Sequence, residues 1–181
     1  MTAHSTPRVY LRPPTLRDCA EFLARNRASA RLYRGLASPM TSRRMFTEYV
    51  ARCGRPDYEG LLVCRHDDDA IAGCANVSQI VRGGFQSAYL GYQVFAPYES
   101  QGYMTAALPL VLRHVFRSLR LHRVEANIQP GNARSVALVK RAGFRLEGYS
   151  LRYLKIAGRW RDHERWAITV EDWRTSRQRR A

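Results

Sequence analysis

The sequence predicts one mixed α/β (α+β) domain built on a mostly antiparallel sheet, and three observations predict it. Its 181 residues, 45% of them hydrophobic, suit a single core. Hydrophobic spacing alternates along the chain between the helical and the extended period. Asp67-Asp68-Asp69, Gly83-Gly84 and Ala157-Gly158 then supply hairpin turns between extended runs.

Taken in order, residues 1–7 read as a flexible polar tail, 8–173 as the domain and 174–181 as a basic, frayed tail. Residues 9–12 form a strand stopped by Pro13-Pro14. Thr15 and Asp18 make a capping-box start, after which Leu16, Cys19, Ala20, Leu23 and Arg27 keep helical spacing. A second helix over 42–53 carries Met45, Phe46, Tyr49 and Val50 on one face and is closed by Gly54 and Pro56. Residues 61–65, 70–81 and 86–95 read as three antiparallel strands. Gly102 opens an apolar helix reaching about residue 120, which Pro109 should kink by removing one backbone bond. A strand over 124–128, a short helix over 134–141 stopped by Gly143, and strands over 144–149, 151–156 and 160–170 complete the chain.

Composition narrows the function classes. The apolar share excludes wholesale disorder and a disulfide-stapled miniprotein. The longest apolar stretch, 106–112, is interrupted by Pro109 and is far too short for a membrane span. The opening MTAHSTPRVY has no secretory pattern, so a cytoplasmic protein is expected. Cys19, Cys53, Cys64 and Cys74 form no C-x-x-C pair and read as buried free thiols; the histidines do not join them at zinc-ligand spacings, and no metal is expected. Thirty basic against fifteen acidic residues give +15, and only Lys140 and Lys155 are lysines. That excess favours polyanions such as RNA, ribosomal surfaces or phosphorylated cofactors, against the alternative of plain surface charge in an arginine-biased genome.

Two strand-to-helix turns could carry chemistry. The first, Tyr98-Glu99-Ser100-Gln101-Gly102-Tyr103-Met104, places bare N–H groups and the positive end of a helix dipole where a phosphate could sit, though such a glycine also serves as a simple turn. It lacks the glycines and Lys-Ser/Thr of a P-loop and lacks G-x-G-x-x-G, so nucleoside triphosphates and dinucleotides fit poorly. The second, Asn132-Ala133-Arg134-Ser135, opens a helix that runs through Lys140-Arg141-Ala142-Gly143-Phe144; Asn or Ser there also serves as an ordinary cap. Facing one crevice, the two turns offer amides on one side and an amide and a hydroxyl on the other.

Together these segments resemble the acetyl-CoA site of the GNAT superfamily of N-acetyltransferases, whose pyrophosphate loop is Gln/Arg-x-x-Gly-x-Gly/Ala and whose later helix begins Asn-x-x-Ser. Residues 76–83, Ala88-Tyr89-Leu90-Gly91-Tyr92, Gly143-Phe144 with Glu147-Gly148-Tyr149, and Gly158-Arg159-Trp160-Arg161-Asp162-His163 resemble the RimJ branch, which acetylates the N-terminal alanine of a ribosomal protein. The resemblance implies helices on both sheet faces and fourth and fifth strands that splay to admit the cofactor. Glu99 stands where the pattern has Gln or Arg, Ser100 replaces a common glycine, Met104 fills the last small-residue position, and Ala106 sits where relatives often carry Glu. An anionic Glu99 is repelled by a pyrophosphate unless it turns outward or pairs with an arginine.

The same resemblance implies direct transfer from acetyl-CoA to an amine. Gln93, Val94 and Phe95 would supply main-chain donors to the carbonyl. Ser100, Gln101, Gly102, Tyr103, Met104 and Thr105 would hold the pyrophosphate. Asn132 would orient the pantetheine arm, Lys140 would lie along the cofactor, and Ser135 would protonate the thiolate or bond the arm. No general base stands out; a water relayed by Glu125, Glu147 or Tyr92 would serve, with Tyr92 and Glu147 joining Ser135 as candidate catalytic residues. His163, beside Asp162, reads as a structural or peptide-site residue. The acceptor expected is a protein N-terminus, with Arg82, Arg161 and the tail from Arg174 free to meet RNA phosphates. A small-molecule amine, or a ribosome or RNA-binding assembly factor with a vestigial site, are the alternatives.

Overall fold

The structure, a computed structural model, describes residues 8–178. The tail expected over 1–7 and the last three residues of the expected C-terminal tail lie outside the described residues. Seven strands, β1 (Val9–Arg12), β2 (Tyr58–Arg65), β3 (Ile71–Val81), β4 (Ser87–Val94), β5 (Arg123–Ile128), β6 (Arg145–Ile156) and β7 (Arg159–Thr169), form one sheet. Helices α1 (Cys19–Ala28) and α2 (Arg43–Arg52) follow β1, α3 (Tyr103–Arg113) follows β4, α4 (Ala133–Ala142) follows β5 and α5 (Val170–Gln178) follows β7. The sheet order is β1-β2-β3-β4-β5-β7-β6, with helices on both faces.

The β4–β5 pair is parallel and brief, joining residues 87–89 to 123–125. Past Tyr89, β4 stays on β3 as far as Val94, while β5 stays on β7 as far as Ile128. Each strand keeps its outer partner and loses its inner one, so a cleft opens between them, as the family resemblance implies. Gly73 lets β3 and β4 approach there: a Cβ at this position would lie 2.4 Å from the Gln93 carbonyl oxygen.

The core explains which expected residues turn inward. Ser42 caps α2 by accepting from the Met45 N–H at 3.3 Å, and its buried face is Phe46 and Tyr49, with Met45 exposed. In α1 the inward residues are Phe22, Leu23 and Asn26, while Leu16, in the short 3-10 turn before it, is exposed. Phe22 sits among Phe46, Tyr49 and Phe95 with ring centroids 5.0–5.7 Å apart. The helix α3 continues through Pro109, and the departure from α geometry comes later, as a π turn over His114–Ser118.

Three further differences from the sequence reading appear in the assembled fold. Residues 144–149 and 151–156 belong mainly to one strand, β6, whose pairing with β7 shifts between Leu146 and Gly148 and between Ser150 and Leu154. The segment from Arg174, expected to be frayed, continues α5 to Gln178; buried Trp173 anchors that helix, its ring 5.3 Å from Phe116. Cys64 and Cys74 are buried free thiols, but Cys19 and Cys53 are only half-buried.

Gly73→Ala is expected to cost about 3 kcal/mol of stability, because main chain cannot yield as a side chain does. Urea unfolding measures it; a loss below about 1 kcal/mol would show that the β3–β4 contact is looser than described.

Candidate active site

The loop between β4 and α3 prepares the first half of the site. Gly102 caps α3 in the left-handed region at φ 84°, a conformation open to glycine and costly for most residues. Its carbonyl accepts from Ala106 N–H at 2.9 Å, and the N–H groups of the first turn have no acceptor within the helix. Gln101 turns back on its own loop, donating to the Pro97 carbonyl at 2.6 Å. Glu99 forms an ion pair with Arg134 at the start of α4. The carboxylate that breaks the expected loop pattern is thereby neutralised from the second turn.

The start of α4 supplies the other half. Asn132 Oδ1 accepts from Ser135 N–H at 3.2 Å, capping the helix. The Ser135 hydroxyl lies 2.6 Å from the Tyr92 hydroxyl of β4, so this bond bridges the cleft. Burial pushes the Tyr92 phenol up to about 12, with the Ser135 bond acting the other way; it is protonated at any ordinary working pH.

Two cavities meet at that bridge. The larger, about 710 Å³, runs along the β4–α3 loop and α4 past Ser100, Gly102, Thr105, Arg134 and Arg141. The smaller, about 330 Å³, lies between α2 and the splayed strands and is walled by Tyr49, Arg52, Tyr58, Asn76, Asn127 and His163 among others. Tyr33, Leu36, Tyr92, Gln93, Asn132 and Ser135 line both. No carboxylate side chain lines the smaller cavity among the described residues.

Of the residues expected at a cofactor, Gln93, Val94, Ser100, Gly102, Tyr103, Met104, Thr105, Asn132 and Ser135 line the larger cavity. Gln101, Phe95 and Lys140 do not. Phe95 is wholly buried in the aromatic core and its N–H donates to the Ala72 carbonyl at 2.7 Å. Lys140 lies over the Trp166 ring, 5.2 Å from its centroid. Val94 N–H donates to the Tyr33 hydroxyl, which donates in turn to the Val94 carbonyl, both at 2.9 Å. So the strand-pairing groups that the splay would expose at Val94 are held by Tyr33.

Neither acidic candidate reaches the cavities. Arg123 holds both Glu125, at 3.0 Å, and Glu147, and Arg145 holds Glu147 at 3.1 Å. The Arg123 bond keeps the Glu147 carboxyl below its usual range. Asp162 accepts from Arg152 N–H at 2.7 Å and from the Tyr149 hydroxyl at 3.1 Å, so it does not orient His163. Arg82 is exposed and donates to the Leu119 carbonyl, and Arg161 is half-buried. Sequence reasoning missed Tyr33 and Asn127, and it gave pairing with an arginine as one relief for Glu99 without naming Arg134. Only Arg134 had a visible signal, as a cation one position inside the helix that faces the loop.

A family model described as an acetyltransferase (GNAT) domain matches residues 8–145. The chain is 43% identical over 111 residues to the [ribosomal protein uS5]-alanine N-acetyltransferase of Escherichia coli (strain K12), a match spanning 61% of this chain and 57% of that relative's length. Among solved structures, Mycobacterium smegmatis RimJ in complex with CoA-disulfide aligns with a TM-score of 0.81 at 31% identity, over 91% of this chain and 83% of that one. Spermidine N-acetyltransferase from Vibrio cholerae in complex with CoA and spermine aligns with a TM-score of 0.79 over 91% and 97% of the two chains, but at 19% identity this concerns the fold alone.

Arg134→Ala is expected to weaken coenzyme A binding roughly fivefold by leaving Glu99 unpaired beside the phosphates, and Glu99→Gln to tighten it about twofold. Calorimetric titration at low salt checks both, and raising the salt should shrink both. Glu147→Gln should destabilise the protein above about pH 4.5. A depressed carboxyl contributes its stability above its unfolded value and loses it as pH falls through the folded one, so the gap to wild type should close on acidification in urea unfolding at stepped pH.

Proposed function

The chain belongs to the GNAT acetyltransferase family, and on that premise we propose that it transfers the acetyl group of acetyl-CoA to the N-terminal α-amine of a protein, alanine first among the acceptors and a ribosomal protein as the carrier. The observation that carries this reading is the meeting of two cavities at the Tyr92–Ser135 bridge.

The larger cavity fits the cofactor by its donors. Amides at the head of α3, the helix dipole behind them and Arg134 and Arg141 suit a pyrophosphate, and the Glu99–Arg134 pair removes the one opposing charge. Acetyl-CoA, when bound, supplies a thioester whose carbonyl carbon accepts an amine. Gly102, Tyr103, Met104 and Thr105 would hold the diphosphate, and Asn132 and Gln93 would orient the arm. Ser135 holds a hydroxyl proton at the junction and would give it to the departing thiolate; Tyr92, 2.6 Å away and protonated, would replace it, and the proton shed by the newly acylated nitrogen would restore Tyr92.

The acceptor follows from charge and proton cost. A polyamine carries several ammonium groups, and its site needs anionic walls; the smaller cavity offers Arg52 and neutral polar groups instead. At pH 7 an α-amine of pKa about 8 costs roughly 1.4 kcal/mol to deprotonate, against about 4.6 for a lysine of pKa about 10.4. A peptide N-terminus therefore asks least of a site without a carboxylate base. The net charge of +15 suits an acceptor carried on ribosomal RNA and protein.

Acetyl transfer should be measured on alanine-starting peptides, on lysine-containing peptides with blocked N-termini and on spermidine. Turnover of the α-amine in preference to both others is expected, and exclusive turnover of spermidine would overturn the reading. Ser135→Ala and Tyr92→Phe should each lower kcat about 10- to 100-fold while coenzyme A affinity stays within about threefold of wild type.

A further inference from the structure

We propose that Asn127 and His163 form the amine-holding subsite of the smaller cavity and that His163 Nε2 takes the proton the amine must lose, an inference that rests on the acetyl-transfer reading above. Asn127 on β5 pairs with Arg165 on β7, two residues from His163, so both side chains leave the same face of the sheet as diagonal neighbours. Both line the smaller cavity. Tyr153 of β6 ties them together: its hydroxyl accepts from Asn127 Nδ2 at 3.3 Å, and its ring centroid lies 5.6 Å from that of the imidazole.

These contacts leave two acceptors for a ligand. Asn127 Oδ1 is buried and has no hydrogen-bond partner among the described residues, a costly state for an amide oxygen unless a donor arrives from the cavity. His163 is 2% exposed, and its Nδ1 lies 3.0 Å from the Arg161 carbonyl. A carbonyl only accepts, so Nδ1 carries the hydrogen and the neutral ring has its lone pair on Nε2. An amine is the complementary group, since it brings N–H donors and has a proton to shed before its own lone pair can attack. The step is balanced within the site: the ammonium gives one proton to Nε2 and becomes a neutral amine, and the imidazolium returns that proton to solvent.

The charged and titratable groups around the imidazole are Arg161, Asp162, Glu164 and Arg165 on its own strand, Tyr153 on β6, Tyr49 and Arg52 on α2, Tyr58 on β2, Cys74 on β3, Tyr92 on β4, and Tyr33. Burial is the main cause that pushes the phenols of Tyr58, Tyr92 and Tyr153 up to about 12. Asp162 is held below the usual carboxylate range by the Arg152 N–H. Histidine is thus the one side-chain type in this group that changes charge near neutral pH.

His163→Asn keeps an amide N–H for the Arg161 carbonyl and removes Nε2; Asn127→Leu removes the amide oxygen, and Asn127→Asp restores an acceptor. With an alanine-starting peptide, H163N is expected to lose about 100-fold in kcat/KM. On the acid side its log kcat/KM should fall by one unit per pH unit where wild type falls by two, because only the amine still sheds a proton. N127L should raise the peptide KM about tenfold with kcat nearly kept, weaken calorimetric binding of the peptide to cofactor-free protein to the same extent, and N127D should recover most of both. Wild-type coenzyme A affinity in each variant reports an intact fold, and if H163N fails that check the N127L and N127D pair carries the test. An unchanged pH slope in H163N, or an unchanged peptide KM in N127L, overturns the subsite and leaves the acetyl-transfer reading standing. If wild type accepts no α-amine, that reading falls instead, and the amine it does accept becomes the probe for the same variants.

Discussion

Pairing between β4 and β5 ends at Tyr89 and Glu125, and the rest of the site depends on that ending. A parallel pair continued for one more turn of the pleat would bury the very groups that line both cavities. The sheet avoids this without leaving either strand unsupported, because β3 keeps β4 and β7 keeps β5 over the same stretch. Backbone donors and acceptors in the cleft are then free for a ligand or for side chains, and Tyr33 holds those of Val94. The cleft is bridged by hydroxyls, Tyr92 to Ser135, so its two walls meet through groups that can move protons.

Electrostatics in the larger cavity is set by a contact between two turns far apart in sequence. Glu99 read alone opposes a phosphate; beside Arg134 it becomes half of a neutral pair and leaves the helix amides to act. The arginine-rich composition makes such compensation easy to find. The smaller cavity has no carboxylate in its wall among the described residues, and Glu125 and Glu147 are both committed to arginines outside it.

Much of the fold is legible in the chain because it rests on local physics. Hydrophobic period places β1, α2, β3, β4, α3, β5 and α4 within a few residues, and Gly102, Asn132, Gly143 and the Ala157-Gly158 turn mark their ends. Where that reading slips, a distant partner is responsible. α5 lacks a strong pattern of its own and is secured by Trp173 on Phe116. β6 keeps one continuous path because β7 tolerates two shifts in register. Leu16 has helical spacing but sits outside the face that meets Phe46 and Phe95.

The sequence by itself determined the element order from β1 to α4, the glycine-headed turn before α3, the Asn132–Ser135 cap and the family resemblance these carry, since each is a relation among neighbours within a few residues. Tertiary structure alone decided that Lys140 turns to Trp166, that Glu147 turns to Arg123, that Arg134 reaches Glu99, and that Asn127 and His163 share a cavity wall. A side chain's partner across strands depends on register and on which face of the sheet is left open. Those are properties of the assembled sheet, and no span of the chain short of the whole encodes them.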